Sequence, residues 1–387
     1  MLQGFVRKFG RIDWSIVFIL ALFMCISTML VYSAIHSQGP QYAGYERRNL
    51  ILYALGFAAL FASALVNYRV LIRFAPWLYV LGVASLALVL RFGSTYNGAA
   101  GWFTLPGGVF NIQPAELMKL LLILMIAHWL SRRDGEPLRL FRDIAPLGLF
   151  VLAPFVLVML QPDLGNAIIY LVILAGMLWI GSIRYLHALI GVTLAVSFLA
   201  GMYVFYQTNH DEIVEFLRER DKGHWAVRID TYLNPDQVSA DASHQIRHSR
   251  IAIGSGGLRG EGYLAGEYVH NGFIPYPYSD SIFIVLAEEF GFMGSSLLLL
   301  FYFLLIYRMI WCAIQCDRLG GSYLIVGIVS MFVFQIFENI GMFLGIMPLT
   351  GITLPFISYG GSSLLINMIC VGLVLSTRVY REKPAQY

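Results

Sequence analysis

The chain reads as an all-α polytopic membrane protein with about ten transmembrane helices and one large extracytoplasmic loop. Three observations predict this. Of 387 residues, 58% are hydrophobic and only 13% charged, where a soluble domain carries about 25%, and the mean hydropathy is +0.70. The apolar residues gather in ten runs, most of them near the ~20 residues that cross ~30 Å of hydrocarbon as a helix. A single polar stretch of any size, 207–279, interrupts them. Helices are the economical solution in lipid because each satisfies its own backbone N–H and C=O groups.

Taken in order, the run 14–34 is too long for a cleavable signal and lacks a clear small-residue cleavage site, so it reads as a signal anchor. Runs 49–66 and 74–91 follow. Run 115–130 is short and opens after Gln113-Pro114, where proline suits a first helical turn because its missing N–H costs nothing. Runs 144–160 and 165–181 flank a very tight turn, Gln161-Pro162-Asp163-Leu164-Gly165, and run 186–206 leads into the long loop. The loop's first part, Asn209 to Arg228, is charged and suits an amphipathic helix lying on the bilayer. Asn234-Pro235-Asp236 reads as a turn. Runs 280–307, 322–345 and 355–377 complete a single domain, 1–387. Internal repeats are not evident, which weakens an inverted-repeat transporter reading.

Lys and Arg placement gives the orientation. With the N-terminus inside, fifteen of them fall in cytoplasmic segments, whereas the short outer loops hold Arg47, Arg48 and Arg91. Both termini are therefore expected in the cytoplasm and loop 207–279 outside. The net charge of +3 reflects this bias and not a nucleic-acid surface. Cys25, Cys312, Cys316 and Cys370 lie in or near helices and form no disulfide framework. Cys312 and Cys316 are spaced i,i+4, but no His or second Cys pair stands nearby to make a metal site.

Ionisable groups inside a membrane are costly and need a reason. Glu116 and Lys119, three apart at the outer end of the fourth run, share one helix face. They are either an ion pair that eases membrane entry or an acid and a base lining an outward polar cavity. Asp280, in Tyr278-Ser279-Asp280-Ser281-Ile282-Phe283, sits where the loop re-enters the membrane. It is either an N-cap or a general base kept ionised by the helix N-terminus. Glu288, Glu289 and Glu338 read first as structural hydrogen-bonding groups. Ile253-Gly254-Ser255-Gly256-Gly257-Leu258-Arg259-Gly260 is either a flexible turn or a phosphate cradle of free N–H groups. Asp163 suits a helix cap. Ser358-Tyr359-Gly360-Gly361-Ser362-Ser363 opens the tenth helix with small residues that allow close packing or contact with a ligand.

In order, these motifs resemble the SEDS family, the shape, elongation, division and sporulation proteins RodA, FtsW and SpoVE. The resemblance runs through Gln113-Pro114-Ala115-Glu116-Leu117-Met118-Lys119, the Gln161–Gly165 turn and the glycine-rich stretch. It continues through Ser279–Phe283 with Leu286-Ala287-Glu288-Glu289-Phe290-Gly291, and ends with Asn339-Ile340-Gly341-Met342, Gly345–Pro348 and Leu354–Ser363. It covers nearly the whole chain, and Asn339–Met342 leans towards the RodA branch. Three departures stand out. The family's Gly-Ala-x-Arg-Trp is Gly98-Ala99-Ala100-Gly101-Trp102 here, without the arginine. Its Pro-Glu ahead of the aspartate motif is replaced by Tyr276-Pro277-Tyr278. Glu338 stands where Gln or Val is common.

The resemblance implies a peptidoglycan glycosyltransferase at the outer face of the bacterial cytoplasmic membrane, for elongation or division. Lipid II is its substrate and undecaprenyl pyrophosphate its leaving group. Asp280 is then the catalytic base, and Glu116, Lys119, Asp163, Arg259 and Ser358 are candidate substrate-binding residues. The leaving pyrophosphate needs positive charge, N–H groups or a divalent cation, Mg or Mn. The implied partner is a class B penicillin-binding protein transpeptidase, whose transmembrane helix would pack on the Gly341-x-x-x-Gly345 face. The competing reading is a lipid II flippase, which needs no base at the membrane edge.

Overall fold

The computed structural model describes residues 8–36, 38–39, 42–96, 99–104, 111–219, 223, 230 and 240–382. Gly98, His224, the 234–236 turn and Lys383 lie outside them. The described helices are α1 (Trp14–His36), α2 (Tyr45–Leu65), α3 (Tyr68–Phe92), α4 (Pro114–Ser131), α5 (Ala145–Met159), α6 (Leu164–Ile180) and α7 (Tyr185–Thr208). They continue as α8 (His210–Glu219), α9 (Ala240–Ser255), α10 (Glu267–His270), α11 (Ile282–Ile314), α12 (Leu319–Leu344) and α13 (Gly361–Val379). Among the described residues nine helical segments are long and apolar enough to cross a membrane, α5 counting with the turn 140–144 before it. The tenth expected run is the shorter α6.

Packing follows the distribution of apolar residues around each helix. The α4 and α13 helices are apolar on nearly every face, and both are largely buried, as such helices must be. The α13 helix packs on α2, α4 on α3, α12 on α4 and α6, and α11 on α1 and α12. By contrast, no residue in the apolar window of α7 is buried. Its substantial contact among the described elements is with α8 at its outer end.

Four features differ from the sequence reading. First, a small antiparallel ribbon, β1 (Ser94–Tyr96), β2 (Ala99–Thr104) and β3 (Asn111–Ile112), lies between α3 and α4. The hydropathy pattern hides it because its strands are short. Second, the long helix α11 breaks at Gly291, with φ 62° and ψ −157°. The 292–314 part alone spans about 34 Å at 1.5 Å per residue, enough to cross, while residues 281–289 are buried in protein on every face.

Third, the last helix begins at Gly361 and not near 355. Residues 354–358 form a re-entrant turn whose carbonyls are satisfied by hydroxyls of three helices. Ser27 donates to Ile357 O at 2.7 Å, Tyr53 to Phe356 O and Tyr302 to Pro355 O. The turn is apolar because it is buried, which explains why it reads as part of a helix. Irregular backbone is tolerated at membrane depth only where protein surrounds it. Fourth, Gly345 is the left-handed cap of α12 (φ 73°). A methyl there would overlap the Arg250 guanidinium, and one at Gly341 would meet Met347 at 3.0 Å. The chain's own Met347 and Arg250 thus occupy the space beside these two glycines.

The two ends of the chain meet on one face. Lys8 Nζ donates to Tyr380 Oη at 2.8 Å, and Arg11 donates to the carbonyls of Val379 and Arg381 at 3.1 and 3.0 Å. Asp13, 3% exposed, pairs with Arg308 and Arg378. All four cysteines are free.

Candidate active site

The glycine-rich segment and the break in α11 form one junction. At Gly291 the helix can no longer pair the carbonyls of Glu288 and Glu289 with residues 292 and 293. Glu261 N–H bonds Glu288 O at 2.9 Å and Gly262 N–H bonds Glu289 O at 3.1 Å, while Phe292 and Met293 donate to Gly257 O and Leu258 O. Glycine is required here because a methyl at Gly256 would overlap the Ala287 carbonyl and one at Gly260 the Glu289 carbonyl. Within the glycine-rich segment, Gly257 N–H bonds Gly254 O and Gly260 N–H bonds Gly256 O, so these two N–H groups are taken up by the segment's own turn. Arg259 is exposed on the same junction, at the opposite end of segment 282–290 from Asp280.

The two glutamates serve this docking. Glu288 accepts the N–H groups of Tyr268 and Val269 at 2.6 and 3.2 Å, satisfying donors of the short α10. Glu289 accepts from Ser33 Oγ of α1 and lies 3.4 Å from His270 Nε2. Burial and the neighbouring His36 push the His270 imidazole below its ordinary range. The segment 282–290 thus runs across one end of the bundle from α12 towards α1.

Asp280 stands at the α12 end of that segment. It precedes the N-cap, Ser281, and its carboxylate accepts the N–H groups of Ser281 and of Asp280 itself. Burial outweighs these bonds and lifts its pKa to about 6. The group is therefore held less firmly ionised than a helix N-terminus alone would hold it, yet is mostly a carboxylate at pH 7. Asn339, fully buried on α12, fixes its backbone: Nδ2 donates to Asp280 O at 2.8 Å and to Ile352 O at 2.7 Å. The second bond brings up the 350–352 turn, where a side chain at Gly351 would begin 3.9 Å from Asp280 Oδ2.

The neighbouring residue on α12 faces a second polar group. Lys119 Nζ, fully buried, lies 2.7 Å from Glu116 Oε2. Asp163 caps α6 through Asn166 N at 3.1 Å, and its other oxygen accepts from Asn166 Nδ2 at 2.8 Å and Gln113 Nε2 at 2.9 Å. Asp163 feels the charges of Glu116 and Lys119, and Glu338 feels those of Asp163 and Lys119. The structure therefore unites the Gln113–Lys119 and Gln161–Gly165 motifs with Glu338, and Asn339 ties Asp280 to the next position of the same helix.

Ser358 is not part of this polar group. It is buried in the re-entrant turn, where its hydroxyl accepts Leu354 N–H at 2.8 Å. Gly101, at the place of the absent arginine, is buried 3.4 Å from Gln161 Oε1 as measured from where a side chain would start. Among the described residues no three His, Cys, Asp or Glu side chains converge as a metal-ligand set. Sequence reasoning gave Asn339 no role. The available signal was an amide side chain in an otherwise apolar span, next to a carboxylate.

A family model for the FtsW, RodA and SpoVE cell cycle proteins matches residues 10–383. The chain belongs to the FtsW/RodA/SpoVE family. Among FtsW/RodA/SpoVE proteins, it is 34% identical over 365 residues to the peptidoglycan glycosyltransferase MrdB of Escherichia coli K12, covering 93% of each chain. It is 32% identical over 378 residues to the stage V sporulation protein E of Bacillus subtilis 168, covering 95% of this chain and 97% of the relative. The crystal structure of RodA from Thermus thermophilus superposes with a TM-score of 0.68 at 30% identity, over 96% of this chain and 98% of RodA. A chain of a peptidoglycan synthase complex that coordinates polymerization and crosslinking superposes with a TM-score of 0.77 at 30% identity, over 96% and 99%. This FtsW/RodA/SpoVE chain is, like those relatives, a multi-pass membrane protein.

Proposed function

We infer that the chain is a peptidoglycan glycosyltransferase that polymerises lipid II at the outer face of the bacterial cytoplasmic membrane, with both termini in the cytoplasm. The observation that carries the mechanism is the half-buried Asp280 carboxylate, on a backbone held by Asn339 where the chain enters α11. The 4-hydroxyl of the acceptor's GlcNAc gives its proton to Asp280 as its oxygen bonds to the anomeric carbon of the donor's MurNAc. The bond from that carbon to the pyrophosphate oxygen breaks, undecaprenyl pyrophosphate leaves, and the centre inverts. A hydroxyl needs such a base near neutral pH.

Lys119 and Arg259 are the positive charges proposed to favour the leaving group, and Glu116 pairs with Lys119. Ser358 contributes to this reading by keeping the re-entrant turn closed beside the site. A divalent cation, Mg or Mn, would be held mainly by substrate phosphate oxygens and water, as Mg commonly is, and would add positive charge at the leaving group. The lipid chain has room beside α7, which stands apart from the bundle. The proposed partner is a class B penicillin-binding protein transpeptidase, docking away from Gly341 and Gly345.

Asp280→Asn tests the reading with purified protein and labelled lipid II. Asn keeps the size and a hydrogen-bonding oxygen but takes no proton, so the polymerisation rate is expected to fall at least ~10²-fold with lipid II still bound. A near wild-type rate sinks the base assignment.

A further inference from the structure

Beside Asp280 lies a cluster of tyrosines that the glycosyl-transfer chemistry leaves unused. Tyr276 and Tyr278 come from the turn before Asp280, Tyr42 and Tyr45 from the connection into α2, and Tyr359 from the loop before α13. Tyr45 and Tyr359 stack with ring centroids 4.9 Å apart. Tyr278 stands edge-on to both, at 5.3 and 6.1 Å, and Tyr359 N–H bonds Tyr278 O at 2.9 Å. These three rings brace one another. Tyr42 closes one side, 5.3 Å from Tyr278.

Tyr276 is different. It meets Tyr278 edge-on at 6.5 Å and 84°, and it is 46% exposed. Its backbone is left-handed, φ 47°, a region that a bulky residue enters only under constraint. Ser279 N–H on Tyr276 O at 3.0 Å and Ser281 Oγ on Pro275 O at 3.1 Å fix the turn that imposes it. The chain therefore holds a large aromatic ring up to solvent on the same compact turn as the base. Arg48, its guanidinium 5.6 Å over the Tyr45 ring, keeps the rim polar.

We propose that this cluster is a binding subsite for an N-acetylhexosamine ring of the glycan strand, with Tyr276 as its open face. An aromatic face takes the apolar C–H side of a pyranose, while phenolic hydroxyls at the rim meet sugar hydroxyls. A lipid chain would gain nothing from that hydroxyl rim. Tyr276-Pro277-Tyr278 sets two of these rings within four residues of Asp280. The inference rests on the reading of the protein as a glycan polymerase and gives its acceptor strand a seat next to Asp280.

The test is calorimetric titration of the purified full-length protein with chitotetraose, alongside lipid II polymerisation. Saturable binding is expected for the wild type, kept within about threefold in Tyr276→Phe and weakened about tenfold or more in Tyr276→Ala. The thermal midpoint of Tyr276→Ala should stay close to that of the wild type, because the ring is largely exposed. Asp280→Asn should bind the tetrasaccharide as the wild type does. Absence of saturable binding, or equal affinity in Tyr276→Ala, overturns the subsite. Near wild-type polymerisation by Asp280→Asn with binding still lost in Tyr276→Ala would instead remove the base assignment and leave the subsite standing.

Discussion

In the proposed reaction Asp280 is the base, and Asn339 holds the backbone beneath it through its bond to Asp280 O. With a pKa lifted to about 6, the base is lost as pH falls through that value. Polymerisation should therefore decline about tenfold per pH unit below it, and the residual rate of Asp280→Asn should show no such limb. A pH–rate profile of both proteins checks this. Asn339→Asp keeps the shape but turns carboxylate oxygens towards two carbonyls that now accept Nδ2–H bonds. Leaving such buried groups unpaired costs about 1–3 kcal/mol each. The expected result is a kcat lowered at least ~10-fold with KM changed far less, restored in part by Asn339→His, which keeps a donor. Asp280 was legible because its motif and its place at the loop's re-entry both singled it out. Asn339 was not, because its partners are carbonyls 59 and 13 residues away, and no local pattern encodes such pairs.

The decisive element is α11 with its break. A run of apolar residues announces a span, and 280–307 did so, but hydropathy is blind to a glycine that redirects the backbone without changing polarity. Gly291 and the glycine-rich segment are conspicuous only separately. Their complementarity, carbonyls of one meeting N–H groups of the other, requires the fold. The same blindness turned the buried turn 354–358 into helix and passed over the short ribbon. It also offered Gly341 and Gly345 as a docking face when one is a packing site and the other a cap. The junction can be tested by Gly260→Ala, whose methyl would overlap Glu289 O at a left-handed φ of 83°. Strain of about 1–3 kcal/mol should lower the thermal midpoint and cut polymerisation several-fold. Gly254→Ala, which points into open space, should change neither.

Across the whole molecule, the bundle was legible from ten apolar runs, and the pairing of the two termini agrees with an even number of crossings. Its orientation can be measured in a variant with the four native cysteines replaced by serine. A cysteine at Asp211, exposed on α8, should label from outside cells, and one at Glu136, exposed in the α4–α5 connection, only after permeabilisation. The reverse pattern would put Asp280 on the inner face. Finally, the turn 354–358 dictates an order of assembly. Its three carbonyls have no lipid-compatible partner until Ser27, Tyr53 and Tyr302 arrive from α1, α2 and α11. Tyr302 is encoded late, about fifty residues before the turn. The turn therefore becomes a fitting last piece during biogenesis, seated only after most of the bundle has gathered. Because Tyr359 follows the turn and bonds Tyr278 O, a chain stalled before the turn would be inserted in the membrane yet lack this tie to the segment that carries Asp280.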